Sequence, residues 1–477
     1  MNYRMTVYVL GILMIFEGGF MCVPALTAVI YHEHEILLFL SLAAILIVSG
    51  ILISLKKPAN KNLFARDGFV IVSLSWILMS LFGALPFWIS GCIPHFVDAM
   101  FESVSGFTTT GASILRDLDV LPKSMIMWRS FTHWIGGMGV LVFIMAILPL
   151  SGGANMYLMK AESPGPSVSK LVPRVRNTAM LLYVIYIALT FLEFLLLYFG
   201  EMNFFEAFNI AIATAGTGGF SISNAGMGAF GPYSQIVVTV FMILFAVNFT
   251  SYFLLLHGKF KDAFNTEVRV FFIIIAAAII TVSVDIHHLF RTPGEAVRHA
   301  AFTVGSLMSS TGFATADFNL WPTLSKTILV LLMFVGACAG STGGGIKVSR
   351  FLILGKSMRN EFRVMLHPKQ VRKVKLDGRQ IDAEVVRNIN AYIFLYFLIY
   401  VVSMLVLSLD GFDLTTNFTG VVATLNNIGP GLNLVGPMEN YSLFSPLSKS
   451  VLIFDMLAGR LELFPMILLF SPMTWKK

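Results

Sequence analysis

The chain has 477 residues, of which 56% are hydrophobic and 12% are charged, and its mean hydropathy is +0.80. Soluble proteins carry about 25% charged residues on average, so this composition excludes a large water-soluble protein and indicates an integral membrane protein. The formal net charge is +7, and the three cysteines have no spacing typical of a metal site or a disulfide framework.

The N-terminal part of the chain begins with two long apolar segments, residues 5–30 and 36–55. Each is long enough to cross about 30 Å of hydrocarbon as a helix. A compound unit follows, made of a span, an apolar segment too short to cross, a Gly-containing loop and a second span. Its parts are residues 68–90, 96–107, the loop at Gly111 and residues 125–150.

This unit recurs three times along the chain. The copies comprise 179–199, 204–215, the loop at Gly219 and 235–256; then 268–289, 296–309, the loop at Gly312 and 325–351; then 389–409, 416–426, the loop at Gly429 and 448–471. A hydroxyl or amide side chain stands two residues before every loop glycine. Several such positions in phase indicate four copies of one unit.

The predicted fold class is an all-α polytopic membrane protein with two N-terminal transmembrane helices and four repeats. We assign residues 1–67 to the two helices and 68–177, 178–266, 267–388 and 389–477 to the repeats. Lys and Arg concentrate in 160–176, 259–269 and 347–387 and at the C-terminus. Cytoplasmic loops carry such an excess, so we expect both termini and every repeat end in the cytoplasm. Parallel units favour a pseudo-fourfold ring of span, pore helix, filter loop and span.

Four glycine loops on one axis predict a binding site for a monovalent cation. Rings of backbone carbonyls replace the hydration shell of such an ion, and glycine permits the positive φ angles that turn successive carbonyls inward. We expect the side chains of Thr109, Thr217, Ser310 and Asn427 to brace the loops by hydrogen bonds. The alternative is that the glycines are close-packing positions between helices. The predicted filter residues are Thr109, Thr110, Gly111, Thr217, Gly218, Gly219, Ser310, Thr311, Gly312, Asn427, Ile428 and Gly429.

A glycine-rich stretch, residues 335–347, interrupts the second span of the third repeat. Each glycine costs a helix about 1 kcal/mol relative to alanine, so we predict a broken helix with a loop under the filter. A phosphate-binding loop fits less well, because Ile346 stands where that motif requires Lys. Arg460 lies within the second span of the fourth repeat, where a cation is by default functional. Its alternative is a snorkelling side chain paired with Glu462.

These motifs together resemble the Trk/Ktr/HKT superfamily of potassium transporters, and within it the Trk-type membrane subunits of the TrkH or TrkG kind. The resemblance extends over nearly the whole chain and rests on residues 108–113, 217–221, 340–347, 427–432 and 459–463. It implies a homodimer with one pore per protomer. It also implies a cytoplasmic nucleotide-binding (NAD or ATP) regulatory subunit of the TrkA type, docked on the basic face. An intramembrane gate is implied at Gly340, Ser341, Thr342, Gly343, Gly344, Gly345, Lys347 and Arg460.

The predicted function is potassium uptake across the bacterial inner membrane through a channel-like pore, with K⁺ held by the filter carbonyls. The alternative is a potassium symporter coupled to H⁺ or Na⁺. We expect no organic cofactor, no nucleic-acid partner and no enzymatic activity, since the acidic residues of the spans, Glu17, Glu193 and Asp455, are isolated in the sequence. The basic segment 347–387 is also suited to anionic membrane lipid.

Overall fold

The computed structural model describes residues 1–60, 63–139, 175–367 and 373–475. Within these ranges the chain is almost wholly helical, with a single small hairpin of strands Lys375–Leu376 and Arg379–Gln380. Six helices there are long and apolar enough to cross a membrane, and a bent pair of helices supplies a seventh span if it is counted as one. The predicted class, an all-α multi-pass membrane protein, is confirmed.

The two N-terminal helices, Tyr3–Ile30 and Ile36–Ser54, pack closely as a hairpin. Glycines make this approach possible: a Cβ on Gly50 would overlap the backbone of Gly11, and a Cβ on Gly18 would stand 2.8 Å from the Ala43 carbonyl oxygen. Small residues let helix backbones approach in this way in lipid. The first of these helices also packs against the first repeat.

Each repeat begins with a long helix and continues with a shorter one, which we call the pore helix. The long helices are Ala65–Ile89, Val175–Tyr198, Thr266–Ile286 and Ala383–Leu407. The pore helices are Phe96–Phe107, Phe204–Ala215, Pro293–Met308 and Leu414–Leu425. A 12-residue pore helix is only about 18 Å long, too short to cross the membrane. The repeat boundaries assigned from the sequence stay a prediction.

A second helix follows the loop of each repeat. In the first repeat its described part is Lys123–Gly137, and the remainder of the predicted span 125–150 lies outside the described residues. In the other three repeats the second helix is in two pieces. The pieces are Pro232–Ala246 with Phe249–Leu256, Thr323–Phe334 with Val348–Leu366, and Pro446–Arg460 with Phe464–Phe470. Short helices Phe260–Ala263 and Pro472–Trp475 complete the described helices, together with 3-10 turns in the connections.

The break in the second repeat contradicts the prediction of one continuous span at 235–256. The chain bends by 92° there, Val247 is extended, and the Asn248 side chain caps the new helix by accepting from the Thr250 amide at 2.8 Å. The apolar run around the break contains no glycine or proline. Tertiary contacts, described below, use the backbone groups that the break exposes.

The break in the fourth repeat contradicts the prediction of one span at 448–471. Glu462 and Leu463 have φ angles of 54° and 69°, which a helix cannot contain. Pro465 then lies in the first turn of the new helix, where its missing N–H has no cost. That proline was a signal in the sequence that the span is interrupted.

Candidate functional site

The four pore helices end in the same backbone conformation. The residue two before each loop glycine has φ between 53° and 60°, and each loop glycine has φ between 74° and 98°. In the third repeat the Ser310 amide bonds the Leu307 carbonyl at 3.1 Å and the Thr311 amide bonds the Ser306 carbonyl at 2.8 Å, and the other repeats have the equivalent pairs. This is a Schellman motif, which usually requires glycine at the left-handed position. Here that position is held by Thr109, Thr217, Ser310 and Asn427.

The four loops meet in a closed ring. Each loop glycine faces the carbonyl oxygen that precedes the loop glycine of the next repeat, so closely that a Cβ would overlap or crowd it. The contacts are Gly111 with Gly218, Gly219 with Thr311, Gly312 with Ile428, and Gly429 with Thr110. The order runs from repeat to repeat and closes from the fourth back to the first, so the structure brings all twelve predicted filter residues together.

The loops open on one side into a single cavity of about 170 Å³, which all four loop glycines line. We call it the filter cavity. Near its rim the Asn224 amide donates to Asp117 at 2.8 Å and to Asp119 at 3.0 Å. The hydrogen bond from Asn224 lowers the pKa of the Asp117 carboxyl, which therefore stays negatively charged beside the cavity at neutral pH.

The bracing expected of the hydroxyl side chains is only partly present. Ser310 Oγ accepts from the Gly344 amide at 2.5 Å, which joins the third loop to residues 335–347. Thr217 Oγ1 donates to the Gly216 carbonyl at 2.6 Å, within its own loop. Thr109 Oγ1 is buried and has no hydrogen-bond partner among the described residues, so the expectation is wrong for Thr109.

The fourth loop is the most divergent in sequence and has its own supports. The Asn427 amide donates to Thr110 Oγ1 of the first loop at 2.9 Å and to the Met456 carbonyl at 2.9 Å. The Tyr441 hydroxyl donates to the Gly429 carbonyl at 2.7 Å. The side-chain amide of Asn427 therefore links the fourth loop to the first loop, at the point where the ring closes.

A buried ion pair beside the filter cavity was missed by sequence reasoning. Arg129 Nε donates to Glu102 Oε1 at 2.8 Å, and both side chains are almost fully buried. The same guanidinium donates to the Ser221 carbonyl at 3.2 Å and lies 4.1 Å from the centre of the Phe220 ring, while Glu102 accepts from the Ile114 amide at 3.0 Å. The pair thus ties the chain after the first loop to the chain after the second. A carboxylate in an apolar pore helix was the available signal.

Residues 335–347 form a loop on the other side of the filter from the cavity, and we call it the glycine-rich loop. A Cβ on Gly343 would stand 2.7 Å from the Ser309 carbonyl oxygen, and one on Gly344 would stand 2.5 Å from the Asn426 carbonyl oxygen. The loop therefore lies against the ends of the third and fourth pore helices. The predicted interruption of the third repeat is present in the structure.

The glycine-rich loop is hydrogen-bonded to the break in the second repeat. The Cys338 amide donates to the Ala246 carbonyl at 3.1 Å, and the Phe249 amide donates to the Gly340 carbonyl at 3.0 Å. The broken helix exposes these groups, and the loop satisfies them. This is why an apolar segment without glycine or proline bends where it does.

One carboxylate joins the glycine-rich loop to the helix that follows it. Glu267 Oε1 accepts from the Ala339 amide at 2.8 Å and from the Ser349 amide at 3.1 Å. Glu267 lies at the start of the first helix of the third repeat and is buried. No feature of the sequence pointed to this contact.

Two cationic side chains bind carbonyls at the glycine-rich loop. Arg460 donates to the Thr342 carbonyl at 2.8 Å and to the Gly137 carbonyl at 2.6 Å, so it joins the first, third and fourth repeats. Lys347 donates to the Gly344 carbonyl at 3.3 Å and also to Gly343. The predicted gate residues are therefore together beneath the filter loops.

Glu462 binds Arg350 in a buried ion pair. The Arg350 guanidinium also lies 4.0 Å from the centre of the Tyr392 ring. Glu462 is therefore the ion-pair partner of Arg350. The alternative interpretation of the sequence had paired Glu462 with Arg460.

Comparison with known proteins agrees with this architecture. The model of the TrkH family, described as a cation transport protein, matches residues 34–477. The chain belongs to the TrkH family. It is 36% identical over 486 residues to the Trk system potassium uptake protein TrkH of Escherichia coli (strain K12), and the alignment covers 100% of both chains. It is 34% identical to TrkG of the same strain, over 100% of this chain and 99% of the relative.

A solved structure supports the TrkH-family fold. The crystal structure of the potassium transporter TrkH from Vibrio parahaemolyticus matches with a TM-score of 0.89 and 33% identity, and it covers 100% of both chains. The resemblance indicated by the loop motifs is therefore confirmed. As a TrkH-family protein with several apolar helices, the chain is a multi-pass membrane transporter.

Proposed function

We propose that this chain takes up potassium across the inner membrane through a channel-like pore whose selectivity filter is the ring of four loops. The observation that carries the proposal is that four loops of equal backbone conformation close into one ring and open into one cavity. The named relatives are potassium uptake proteins and a potassium transporter, which supports K⁺ as the transported ion.

The charges around the ring suit a cation. Each pore helix ends at the filter, and a helix C-terminus carries roughly half a negative charge. The acidic side chains of Asp117, Asp119 and Glu439 lie near the filter cavity and would concentrate cations there. Arg129 also lines the cavity, but its charge is compensated by Glu102.

The glycine-rich loop and Arg460 form the gate in this proposal. Its residues are Gly340 to Gly345, Lys347 and Arg460, which lie against the pore-helix ends. At about 4–6 Å and an effective dielectric constant of about 20, the repulsion between Arg460 and a cation is on the order of 3–4 kcal/mol. Opening moves the loop aside, which its glycines permit with little backbone strain.

Regulation in this proposal acts on the basic cytoplasmic face, with both termini on the same side. Helix Val348–Leu366 begins directly after the glycine-rich loop. With the hairpin it encloses a cavity of about 660 Å³ lined by Lys356, Arg359, Arg363, Lys373 and Lys375. A TrkA-type nucleotide-binding subunit docked there would act directly on the gate. The parts of the proposed face at 160–174 and 368–372 lie outside the described residues.

The resemblance to Trk-type subunits also supports a homodimer with one pore per protomer, embedded in membrane lipid. Cross-linking of the purified transporter in lipid nanodiscs tests this, because a dimer gives one product of twice the protomer mass at limiting concentration. A monomer at all concentrations contradicts it.

An ion-coupled symporter is the second candidate function. The observation in its favour is that second helices of three repeats are broken within the described chain, and broken helices form the ion sites of many coupled transporters.

A flux measurement separates the two candidates. Proteoliposomes containing this chain alone are given a fixed K⁺ gradient, with and without H⁺ or Na⁺ gradients, and the potential at which rubidium-86 flux reverses is measured. A pore reverses at the potassium equilibrium potential in every condition. A reversal potential that moves with the H⁺ or Na⁺ gradient identifies a symporter, and absence of flux above empty liposomes in both the wild type and a folded Arg460→Ala variant contradicts the transport proposal.

A further inference from the structure

The second filter loop differs from the other three at the residue before its loop glycine. That residue is Gly218, whereas the other loops have Thr110, Thr311 and Ile428 there. A Cβ on Gly218 would overlap the imidazole ring of His133. The ring therefore occupies the volume that a side chain fills in the other loops, and it comes from the second helix of the first repeat.

Both ring nitrogens of His133 are hydrogen-bonded. Nδ1 lies 2.7 Å from the Gly106 carbonyl oxygen, and the Phe220 amide donates to Nε2 at 3.2 Å. Because a carbonyl only accepts, Nδ1 carries the proton, and because Nε2 accepts an N–H, it carries none. The hydrogen bonds thus specify a neutral ring in one tautomer, which is fully buried.

The two partners of His133 belong to different parts of the filter. Gly106 is near the end of the first pore helix, and Phe220 directly follows the loop glycine of the second loop. The imidazole also lies 4.2 Å from the Phe220 ring, centre to centre. A Cβ on Gly216 would overlap the His133 carbonyl. Residues 216–220 are therefore folded around His133.

We propose that His133 is a positioning residue that fixes the Gly218 carbonyl in the ring and so sets cation selectivity at the second loop. His133 and Gly218 form a matched pair, in which a side chain from one repeat replaces a side chain absent from the next. The Gly218 carbonyl is the one that faces Gly111, so a displaced second loop disturbs the first. The inference rests on the proposed role of the four loops as an ion filter.

Three single variants separate hydrogen bonding from packing. His133→Gln retains one donor for Gly106 and one acceptor for Phe220, whereas His133→Met keeps a similar volume without either bond. Gly218→Ala adds a methyl group that overlaps the ring. We expect the K⁺-to-Na⁺ permeability ratio to stay within about twofold of the wild type in His133→Gln. In each of the other two variants it should fall about tenfold, a change of about 1.4 kcal/mol, because the Gly218 carbonyl is no longer held in position.

The double variant His133→Ala/Gly218→Ala provides the sharper test. Removing the ring makes room for the added methyl group, so the double variant should be no less selective than His133→Ala alone. Purely structural effects of two destabilising changes would instead add or leave the double variant worse. The ratio is measured from rubidium-86 and sodium-22 uptake into proteoliposomes, with folding checked by gel filtration and thermal melting.

The outcomes are distinct. A folded His133→Met variant with wild-type selectivity, or a double variant in which the losses of His133→Ala and Gly218→Ala add, overturns the role of His133. Equal loss in His133→Gln and His133→Met also overturns it, because hydrogen bonding would then not matter. No K⁺ flux through either the wild type or a folded Arg460→Ala variant contradicts the proposed function itself, independently of the His133 and Gly218 variants.

Discussion

Each filter loop places a residue with a side chain where glycine is usual. Thr109, Thr217, Ser310 and Asn427 all have left-handed φ angles, which cost an L-residue roughly 1–2 kcal/mol. Two hydrogen bonds to the end of the pore helix offset that cost in every repeat. Each loop is thereby fixed to its pore helix, which in the proposed filter limits how far its carbonyls can move toward a smaller ion.

At the loop glycines, the contact with the next repeat is the sensitive feature. Gly219→Ser introduces a Cβ that overlaps the Thr311 carbonyl at a φ of 74°. We expect potassium affinity to fall at least about tenfold and Na⁺ to enter. Displacing one carbonyl of the ring weakens ion binding, and a loss of about 1.4 kcal/mol in binding free energy is a factor of ten in affinity. Concentration-dependent rubidium-86 and sodium-22 uptake measures both effects.

Gly258→Ser is a matched control for this variant. Gly258 has a similar φ of 72°, but a Cβ there would meet nothing within 4 Å. It should therefore share the backbone strain and keep wild-type selectivity. Equal effects of the two substitutions would show that strain, and not contact within the ring, determines the outcome.

Arg460 is the residue whose charge is expected to limit conduction. Arg460→Ala removes about 3–4 kcal/mol of repulsion and releases the Thr342 carbonyl, so basal flux without the regulator should rise by up to a few hundredfold. Rubidium-86 uptake into proteoliposomes of the chain alone measures it. Arg460→Lys keeps the charge and should stay close to the wild type. Flux at or below the wild-type level in folded Arg460→Ala would leave Arg460 with a structural role.

At the scale of elements, the glycine-rich loop and the bent second helix of the second repeat are one hydrogen-bonded unit. The loop hydrogen-bonds the amide and carbonyl groups that the bend exposes, and Glu267 anchors the loop to the helix that follows it. Movement of the loop must therefore exchange these bonds for others. The hydrogen bonds that hold the loop thus come from both the second and the third repeat.

Glu267→Ala tests the anchor. Leaving two buried amides without an acceptor costs about 1–3 kcal/mol each, which disfavours the closed loop and should raise basal flux about tenfold or more. Glu267→Gln keeps an accepting oxygen and should change flux much less. Single-channel or rubidium-86 flux records both, and a folded Glu267→Ala protein with wild-type basal flux would show that the loop needs no anchor at Glu267.

The sequence predicted the helices whose ends are determined by residues next to them in the chain. The pore helices Phe96–Phe107 and Phe204–Ala215 were predicted to the residue, since polar residues precede them and glycine loops follow. The bend at Val247 was not predicted, because its cause is the glycine-rich loop about ninety residues away. His133 and Glu267 were missed for the same reason, since their partners lie far along the chain. Helical periodicity does not encode such contacts.

For the molecule as a whole, helix Val348–Leu366 connects the proposed regulatory face to the filter. Its first residues follow the glycine-rich loop, Arg350 on it binds Glu462 of the fourth repeat, and its far half lines the basic cavity. In the proposed regulation, a subunit bound at the basic end would therefore act on a helix that is tied to both the third and the fourth repeat.

Neutralising this face should weaken regulator binding without affecting the pore. We expect Arg359→Gln/Arg363→Gln to reduce co-purification of a TrkA-type subunit about tenfold at moderate salt. The variant removes two positive charges from the docking face, and charges in direct contact lie within the screening length of about 10 Å at 0.1 M salt. Basal flux of the chain alone should not change. Lys56→Gln/Lys57→Gln removes the same charge elsewhere and should have no effect. Unchanged co-purification of the first pair would assign the basic face to lipid contact.

The closed ring of glycine contacts also constrains how such a chain can diverge over generations. Each loop presses on the next in chain order, and the last presses on the first, so a substitution in one loop is felt first by its successor. Compensating changes should therefore accumulate in a directional, pairwise manner around the ring. A chain in which one gene encodes all four loops can follow such a route, because each loop can acquire its own substitution that compensates for a change in the neighbouring loop. An assembly of identical subunits would have to change all four contacts at once.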